Sequence, residues 1–286
     1  MNLHTVNTGH FKLDGGAMFG VVPKSIWNNI NPADENNMCS WALRCLLIED
    51  GDRLILVDNG MGNKQDAKFF SYYFMHGNDT LDGSLANLGF HRNDITDVFL
   101  THLHFDHCGG AIVKEGDKLL PAFKNARYWS NEKHWDWAVN PNDREKASFL
   151  KENIIPIKES CQLQFLYAPD QSGETLASSK FTENISVRFV NGHTEKMMLP
   201  QVNYKGKTIV FMADLLPSAG HIPLPYVMAY DMFPLTTLKE KKSFLTEAVA
   251  NDYILFFEHD PKIECCTVAV TEKGIRLKEK FLLSEI

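Results

Sequence analysis

The chain has 286 residues, a formal net charge of −7, 44% hydrophobic and 23% charged residues, a globular balance that excludes disordered and fibrous classes. The acidic sign speaks against a surface built for nucleic-acid phosphates. Six cysteines, with Cys265 and Cys266 adjacent and no C-x-x-C pair, suit neither a zinc ribbon nor a small disulfide framework and predict reduced thiols.

No run reaches the roughly 20 apolar residues of a membrane span, and residues 1–9 show neither a basic start with an apolar core nor a small-residue cleavage site. The expectation is a cytoplasmic protein with no membrane partner. Residues 41–49 and 53–58 are apolar runs around Asp50-Gly51-Asp52, which predicts a hairpin of buried strands. Residues 81–89 predict a short helix stopped by Gly89. Asp97-Val98-Phe99-Leu100-Thr101 then predicts a short buried strand.

That strand opens into His102-Leu103-His104-Phe105-Asp106-His107, followed by Cys108, Gly109 and Gly110. Three imidazoles and a carboxylate within six residues suit zinc or a similar first-row metal and are hard to explain as packing. Glycines directly after them let the backbone turn sharply. Cys108 reads as a small buried residue.

Residues 128–149 carry Trp129, Trp135 and Trp137 in a polar, helix-compatible stretch, read as a cover over the site or as an outer helix packed on the body. Residues 169–180 read as a surface loop. Three later apolar runs each end in a potential ligand: 186–190 before His193, 208–213 before Asp214, and 253–257 before Glu258-His259-Asp260. If these exits share a sheet edge, their donors converge. Between the last two, Thr237-Leu238-Lys239-Glu240 after Pro234 has a capping-box pattern that predicts a helix. No linker or repeat divides the chain, so one domain over 1–286 is expected, with the helical and loop segment 121–180 covering the site.

The run ending Val57-Asp58-Asn59-Gly60, the H-x-H-x-D-H motif, Gly192-His193-Thr194, Asp214 and His259 together resemble, in order, the motifs of the metallo-β-lactamase superfamily. The resemblance implies an α/β fold, an αββα sandwich with two mixed sheets flanked by helices. It implies one metal on His102, His104 and His193, a second on Asp106, His107 and His259, and Asp214 bridging them. Asp58 would support the metal loop by hydrogen bonds. The implied cofactors are two divalent metal ions, with Zn2+ the default.

Within the superfamily the chain is similar to the acyl-homoserine-lactone lactonases and the methyl-parathion-type hydrolases. That likeness implies hydrolysis of a small-molecule ester or lactone, with N-acyl-homoserine lactones (quorum quenching) as the specific expectation. A metal-bridging hydroxide would attack the carbonyl, and Asp106 would carry its proton to the leaving oxygen. The alternatives are a phosphotriesterase or arylesterase and, in another class, a non-catalytic metal-holding binding protein.

Two departures fall near the substrate. Pro217 stands where related lactonases often place a tyrosine, so His221, Tyr226 or Tyr230 would substitute, and Glu195-Lys196-Met197-Met198 follows the Gly-His-Thr triplet. Met18, Phe19 and Trp27 are candidates for an apolar entrance. Their alternative is packing of an N-terminal arm, onto the body or across a homodimer interface.

Overall fold

The Asp50-Gly51 turn closes as predicted, with Gly51 at φ +67°, and joins β2 (Met38–Asp50) to β3 (Arg53–Val57) in antiparallel register. The structure, a computed structural model, describes residues 1–170 and 176–286. The chain forms two compact units, Met1–Gly9 with Leu43–Ala168, and His10–Ala42 with Pro169–Ile286.

A six-stranded sheet has the order β1-β2-β3-β4-β7-β8, with β3, β4, β7 and β8 wholly in the first unit. Here β1 is Asn2–Asp14, β4 Asp97–Phe99, β7 Arg127–Ser130 and β8 Leu163–Phe165. A separate hairpin pairs β5 (Ile112–Glu115) with β6 (Lys118–Pro121). Strands β3, β4, β7 and β8 are mutually parallel. Parallel neighbours require crossovers, and helices Ala67–Tyr73, Leu81–Asn87, Glu132–Val139 and Lys151–Glu159 lie along them. Helix Leu81–Asn87 ends before Gly89 at φ +82°, as predicted.

The apolar faces of these elements close one core, including Val6, Leu56, Val98, Leu103, Tyr128, Trp135 and Ile154. Each fully buried large side chain contributes about 1.5–3 kcal/mol. Residues 127–130 correct the helical expectation for that stretch, because Tyr128 is fully buried and paired with Val98 in the sheet. A window weighted by the polar residues after 130 hides a four-residue strand.

The second unit contains a seven-stranded sheet in the order β15-β14-β13-β12-β11-β10-β9. Its strands are β9 (Ser178–Lys180), β10 (Ile185–Val190), β11 (Met197–Tyr204), β12 (Lys207–Phe211), β13 (Ile254–Phe256), β14 (Cys265–Thr271) and β15 (Gly274–Phe281). All neighbours are antiparallel except β12 and β13. The 17-residue helix Pro234–Ala250 makes that parallel crossover.

That helix begins at Pro234, with no side-chain cap, so Thr237 and Glu240 already lie inside it and form no capping box. Proline at the first turn forfeits only an N–H that has no helical partner. The predicted loop at 169–180 ends in β9, which pairs with β10, and residues 171–175 of it lie outside the described residues. Among the described residues no helix is long and apolar enough to cross a membrane.

Candidate metal centre

In the first unit, the parallel strands β3, β4 and β7 run in one direction, so their C-terminal ends share one sheet edge, where loops of α/β folds place ligand-binding groups. Asp58 follows β3 directly at φ +55°, a left-handed conformation uncommon for a non-glycine residue. Its carboxylate accepts from Thr101 N–H (2.8 Å) and Thr101 Oγ–H (2.6 Å), and lies 3.0 Å from His107 Nδ1. Asp58 thus ties Thr101, the residue before His102, to His107. Asn59 N–H also donates to the His107 carbonyl.

Gly109 and Gly110 allow that close approach. A Cβ at Gly109 would lie 2.1 Å from the Met61 carbonyl oxygen, and one at Gly110 2.2 Å from that of Asn59. Lys64 Nζ donates to the Gly109 carbonyl at 2.5 Å, and burial pulls its ammonium down to about 8. Burial pushes the Cys108 thiol up to about 12, and its Sγ–H donates to the Leu103 carbonyl. This is an inert packing residue, not a thiolate ligand.

In the second unit, β10, β12 and β13 also run in one direction, since β10 and β12 are both antiparallel to β11 and β12 is parallel to β13. Their last residues are Val190, Phe211 and Phe256. In each case the donor is the third residue beyond: His193, Asp214 and His259. Phe211 and Phe256 are register partners with stacked rings, which sets Asp214 and His259 off from level strand ends. One Asp214 oxygen lies 3.1 Å from His193 Nε2 and the other 3.2 Å from His259 Nε2. A carboxylate with one oxygen turned to each of two imidazoles has the form of a bridge.

The hydrogen bonds assign the imidazole protons. Thr101 Oγ gives its proton to Asp58 and so accepts from His102 Nδ1 (3.1 Å). His104 Nε2 donates to Glu145 (3.0 Å), His107 Nδ1 to Asp58, His193 Nδ1 to Asp231 (2.9 Å) and His259 Nδ1 to the Ala42 carbonyl (2.8 Å). Each histidine thus spends one N–H on an outer partner, the arrangement that orients metal-binding imidazoles. His102 Nε2 and His104 Nδ1 then face each other 3.0 Å apart, lone pair to lone pair. Such a contact is repulsive unless a proton or a metal cation lies between the nitrogens.

The spacing fits as well, because two donors on one tetrahedral ion with bonds of about 2.0–2.1 Å stand about 3.3 Å apart. Electrostatics in the second unit agree. Burial opposes a charge on His193, yet Asp214 and Asp231 outweigh it and push the imidazole up to about 10, so this site calls for positive charge. The donors present fit divalent metal.

Other predicted positions fall elsewhere. Met18, Phe19 and Trp27 are all but fully buried, and Phe19 stacks on Trp27 at 5.6 Å and on His221 at 4.8 Å. They pack the N-terminal arm within the second unit and do not line an apolar entrance. His221 is buried with Nδ1 on Ser218 Oγ and Nε2 on the Met18 carbonyl. Burial holds its imidazole down at about 3, so it is neutral and ties the arm to its loop. Tyr226 stands edge-on to Phe19, and Tyr230 is exposed.

The sequence reading missed Glu145, Asp231, Glu240 and Lys241, whose partners include residues 15 to 49 positions away along the chain. Glu240 accepts from Asn191 N–H and Gly192 N–H (2.7 and 2.9 Å), holding the turn before His193. Lys241, fully buried, donates to the carbonyls of Pro223, Leu224 and Tyr226. Burial drives the Glu240 carboxyl up and the Lys241 ammonium down, each to about 7. Missed too was the aromatic group of Phe69 and Tyr73 against Phe105, where burial, with Asp106 nearby, pushes the Tyr73 phenol up to about 12.

Comparison with known proteins bears on both donor sets. An N-acyl homoserine lactonase of Bacillus cereus is 25% identical over 161 residues, 52% of this chain and 60% of that protein, so the match spans under two thirds of its relative. A probable metal-dependent hydrolase from Staphylococcus aureus superposes with a TM-score of 0.86 at 26% identity, covering 98% of this chain and 96% of the other. AidC, a dizinc quorum-quenching lactonase solved with N-hexanoyl-L-homoserine, gives 0.75 at 23% identity, covering 98% and 95%. This last likeness speaks to the fold alone. The sequence signature of the metallo-beta-lactamase superfamily matches residues 44–259, which include all seven predicted donors, and the chain belongs to that superfamily, with its mixed α/β fold of sheets flanked by helices.

Proposed function

We propose that this protein is a dinuclear metal-dependent hydrolase that opens lactone rings, with N-acyl-homoserine lactones as substrates, and that both units work as one catalytic domain. The observation that carries this reading is the orientation of five histidines, each donating one N–H outward and turning its other nitrogen to a neighbouring donor. His102, His104 and His193 would hold one cation and Asp106, His107 and His259 the other, with Asp214 shared. Two divalent cations, when bound, supply Lewis acidity and a nucleophilic water near neutral pH. Histidine and aspartate accept zinc and its neighbours in the first row, with zinc the default.

Asp106 is the proposed proton carrier, moving a proton from the attacking water to the departing ring oxygen. Opening the ester adds water across it, so acid and alcohol remain on one product molecule. Phe69, Tyr73 and Phe105 support a substrate with an apolar tail, because they form an aromatic group beginning one residue before Asp106. The lactonase among the relatives supports the same class. His221 is assigned a structural role, since both its ring nitrogens are engaged within the fold.

The deciding experiment compares hydrolysis of a long-chain N-acyl-homoserine lactone with that of an aryl phosphotriester and an aryl ester, before and after chelation and metal readdition. The expected result is a lactone rate well above the others, abolished by chelator and restored by metal. A lactone rate near background beside rapid phosphotriester or aryl-ester turnover would replace the substrate assignment. Ligand binding at full metal occupancy without hydrolysis of any of the three would favour a binding protein.

A further inference from the structure

Glu145 is a carboxylate with only 1% of its surface exposed, in the connection between helices Glu132–Val139 and Lys151–Glu159. Burying a carboxylate is costly unless donors surround it. Asn142 begins the turn that delivers it, its Oδ1 accepting from Arg144 N–H and Glu145 N–H (2.9 and 3.1 Å). One Glu145 oxygen then accepts from His104 Nε2 at 3.0 Å and the other from Trp137 Nε1 at 2.6 Å.

The same segment grips the backbone on both sides of His104. Leu103 N–H donates to His134 Nε2 at 2.9 Å, and Phe105 N–H to the Ser148 carbonyl at 3.0 Å. The Phe149 ring packs on the His104 imidazole at 4.8 Å. Three consecutive residues of the metal motif are therefore held by residues 134–149. This is the build of a fixed wall, not of a cover that swings away.

We propose that Glu145 is a positioning residue for the metal centre: by accepting the hydrogen bond from His104 Nε2–H it fixes this ligand as an Nδ1 donor and sets the affinity of the cation that His102 and His104 share. The inference rests on the dinuclear reading above. Glu145 acts from behind His104 and through it, and Trp137 holds the carboxylate in turn. The orientation of Glu145 thus reaches the metal by a chain of two hydrogen bonds, indole to carboxylate to imidazole.

The test uses the full chain loaded with Co2+ and compares wild type, Glu145→Gln, Glu145→Ala and Trp137→Phe. Metal content, competition with a chromophoric chelator, and the visible Co2+ spectrum are the readouts, beside the melting temperature of the apo protein. The expected result for Glu145→Ala is one cation lost about 10–100-fold more readily, with a shifted spectrum and the second cation unchanged. Glu145→Gln, which keeps an acceptor oxygen for His104, recovers most of that loss.

Trp137→Phe weakens the same cation more mildly and serves if Glu145→Ala does not fold. Wild-type affinity and spectrum in Glu145→Ala, or in Trp137→Phe where Glu145→Ala does not fold, overturn the proposal while leaving the dinuclear reading intact. Equal weakening of both cations in proportion to a lowered apo melting temperature overturns it in favour of a general packing role. A wild-type chain that binds no cation overturns the dinuclear reading itself.

Discussion

The two units present their donors in opposite ways. The first places four in the six residues 102–107, on a loop and the single helical turn Phe105–Cys108 that follows it, which neighbouring elements must hold in shape. The second draws three from three strand ends, each the third residue past its strand, and takes its geometry from the sheet. A contiguous motif is therefore easy to read but depends on its supports. A dispersed one is hard to read but inherits the stiffness of paired strands.

The sharpest way to break this comparison is Asp214→Ala. With one carboxylate oxygen near each of two histidines, its loss is expected to lower metal content at both positions and kcat/KM by about a thousandfold, given several kcal/mol of metal-derived stabilisation. Elemental analysis and lactone hydrolysis check it. Retention of two cations at wild-type affinity would mean that Asp214 is no bridge.

The outer carboxylates come next. Asp58 holds His107 and both the N–H and hydroxyl of Thr101, whereas Asp231 is bonded to His193 at a rigid strand exit. Both Asp58→Ala and Asp231→Ala are expected to reduce metal affinity, about 100-fold for Asp58 and about 10-fold for Asp231. Chelator competition on the two variants side by side measures the ratio, and equal losses would erase the proposed difference between loop and strand support.

A smaller effect concerns stability. Burial depresses the folded-state value of His221 to about 3 from an ordinary 6.5, so the unfolded chain takes up the proton first as pH falls. The contribution is fully present above about pH 6.5 and is lost progressively as the pH falls towards about 3. His221→Phe keeps a ring against Phe19 but loses two hydrogen bonds. It is expected to be less stable by about 1–3 kcal/mol at pH 7.5, with a flatter decline between pH 6.5 and 5 in urea unfolding.

The smallest effect is expected for Asp143→Ala. Asp143 lies two residues from Glu145, but its ion pair with Lys146 is on the surface, and such pairs contribute about 0–1 kcal/mol. Melting temperature and metal affinity should both stay close to wild type. A clear fall in metal affinity would show that the whole turn, and not Glu145, governs the centre.

The hairpin at 50–51 and the short strand before His102 were legible because turn chemistry and apolar runs are local signals, and the helix from Pro234 because proline marks a helix start, although the expected capping box does not form. His102, His104, Asp106 and His107 were legible because four donors fall within six consecutive residues. His193, Asp214 and His259 needed the order of the motifs, since each alone resembles an ordinary strand-end residue. Glu145 and Asp231 carry no such mark, because a buried outer carboxylate is defined by what it touches and not by its neighbours in sequence. Phe19 and Trp27 show the same limit: exposed entrance and buried arm have identical composition, and only packing separates them. The strand at 127–130 was hidden because Tyr128's pairing partners, Val98 and Leu163, lie 30 residues before it and 35 after it.

Glu240 and Lys241 stand side by side on helix Pro234–Ala250, yet one grips the backbone before His193 and the other the 223–226 turn. The two loops share one anchor. A tilt or slide of that helix would shift the backbone before His193 and the turn carrying Tyr226 together. Substitutions under the helix, such as at Phe244 or Leu245, would then alter both loops at once, without touching either.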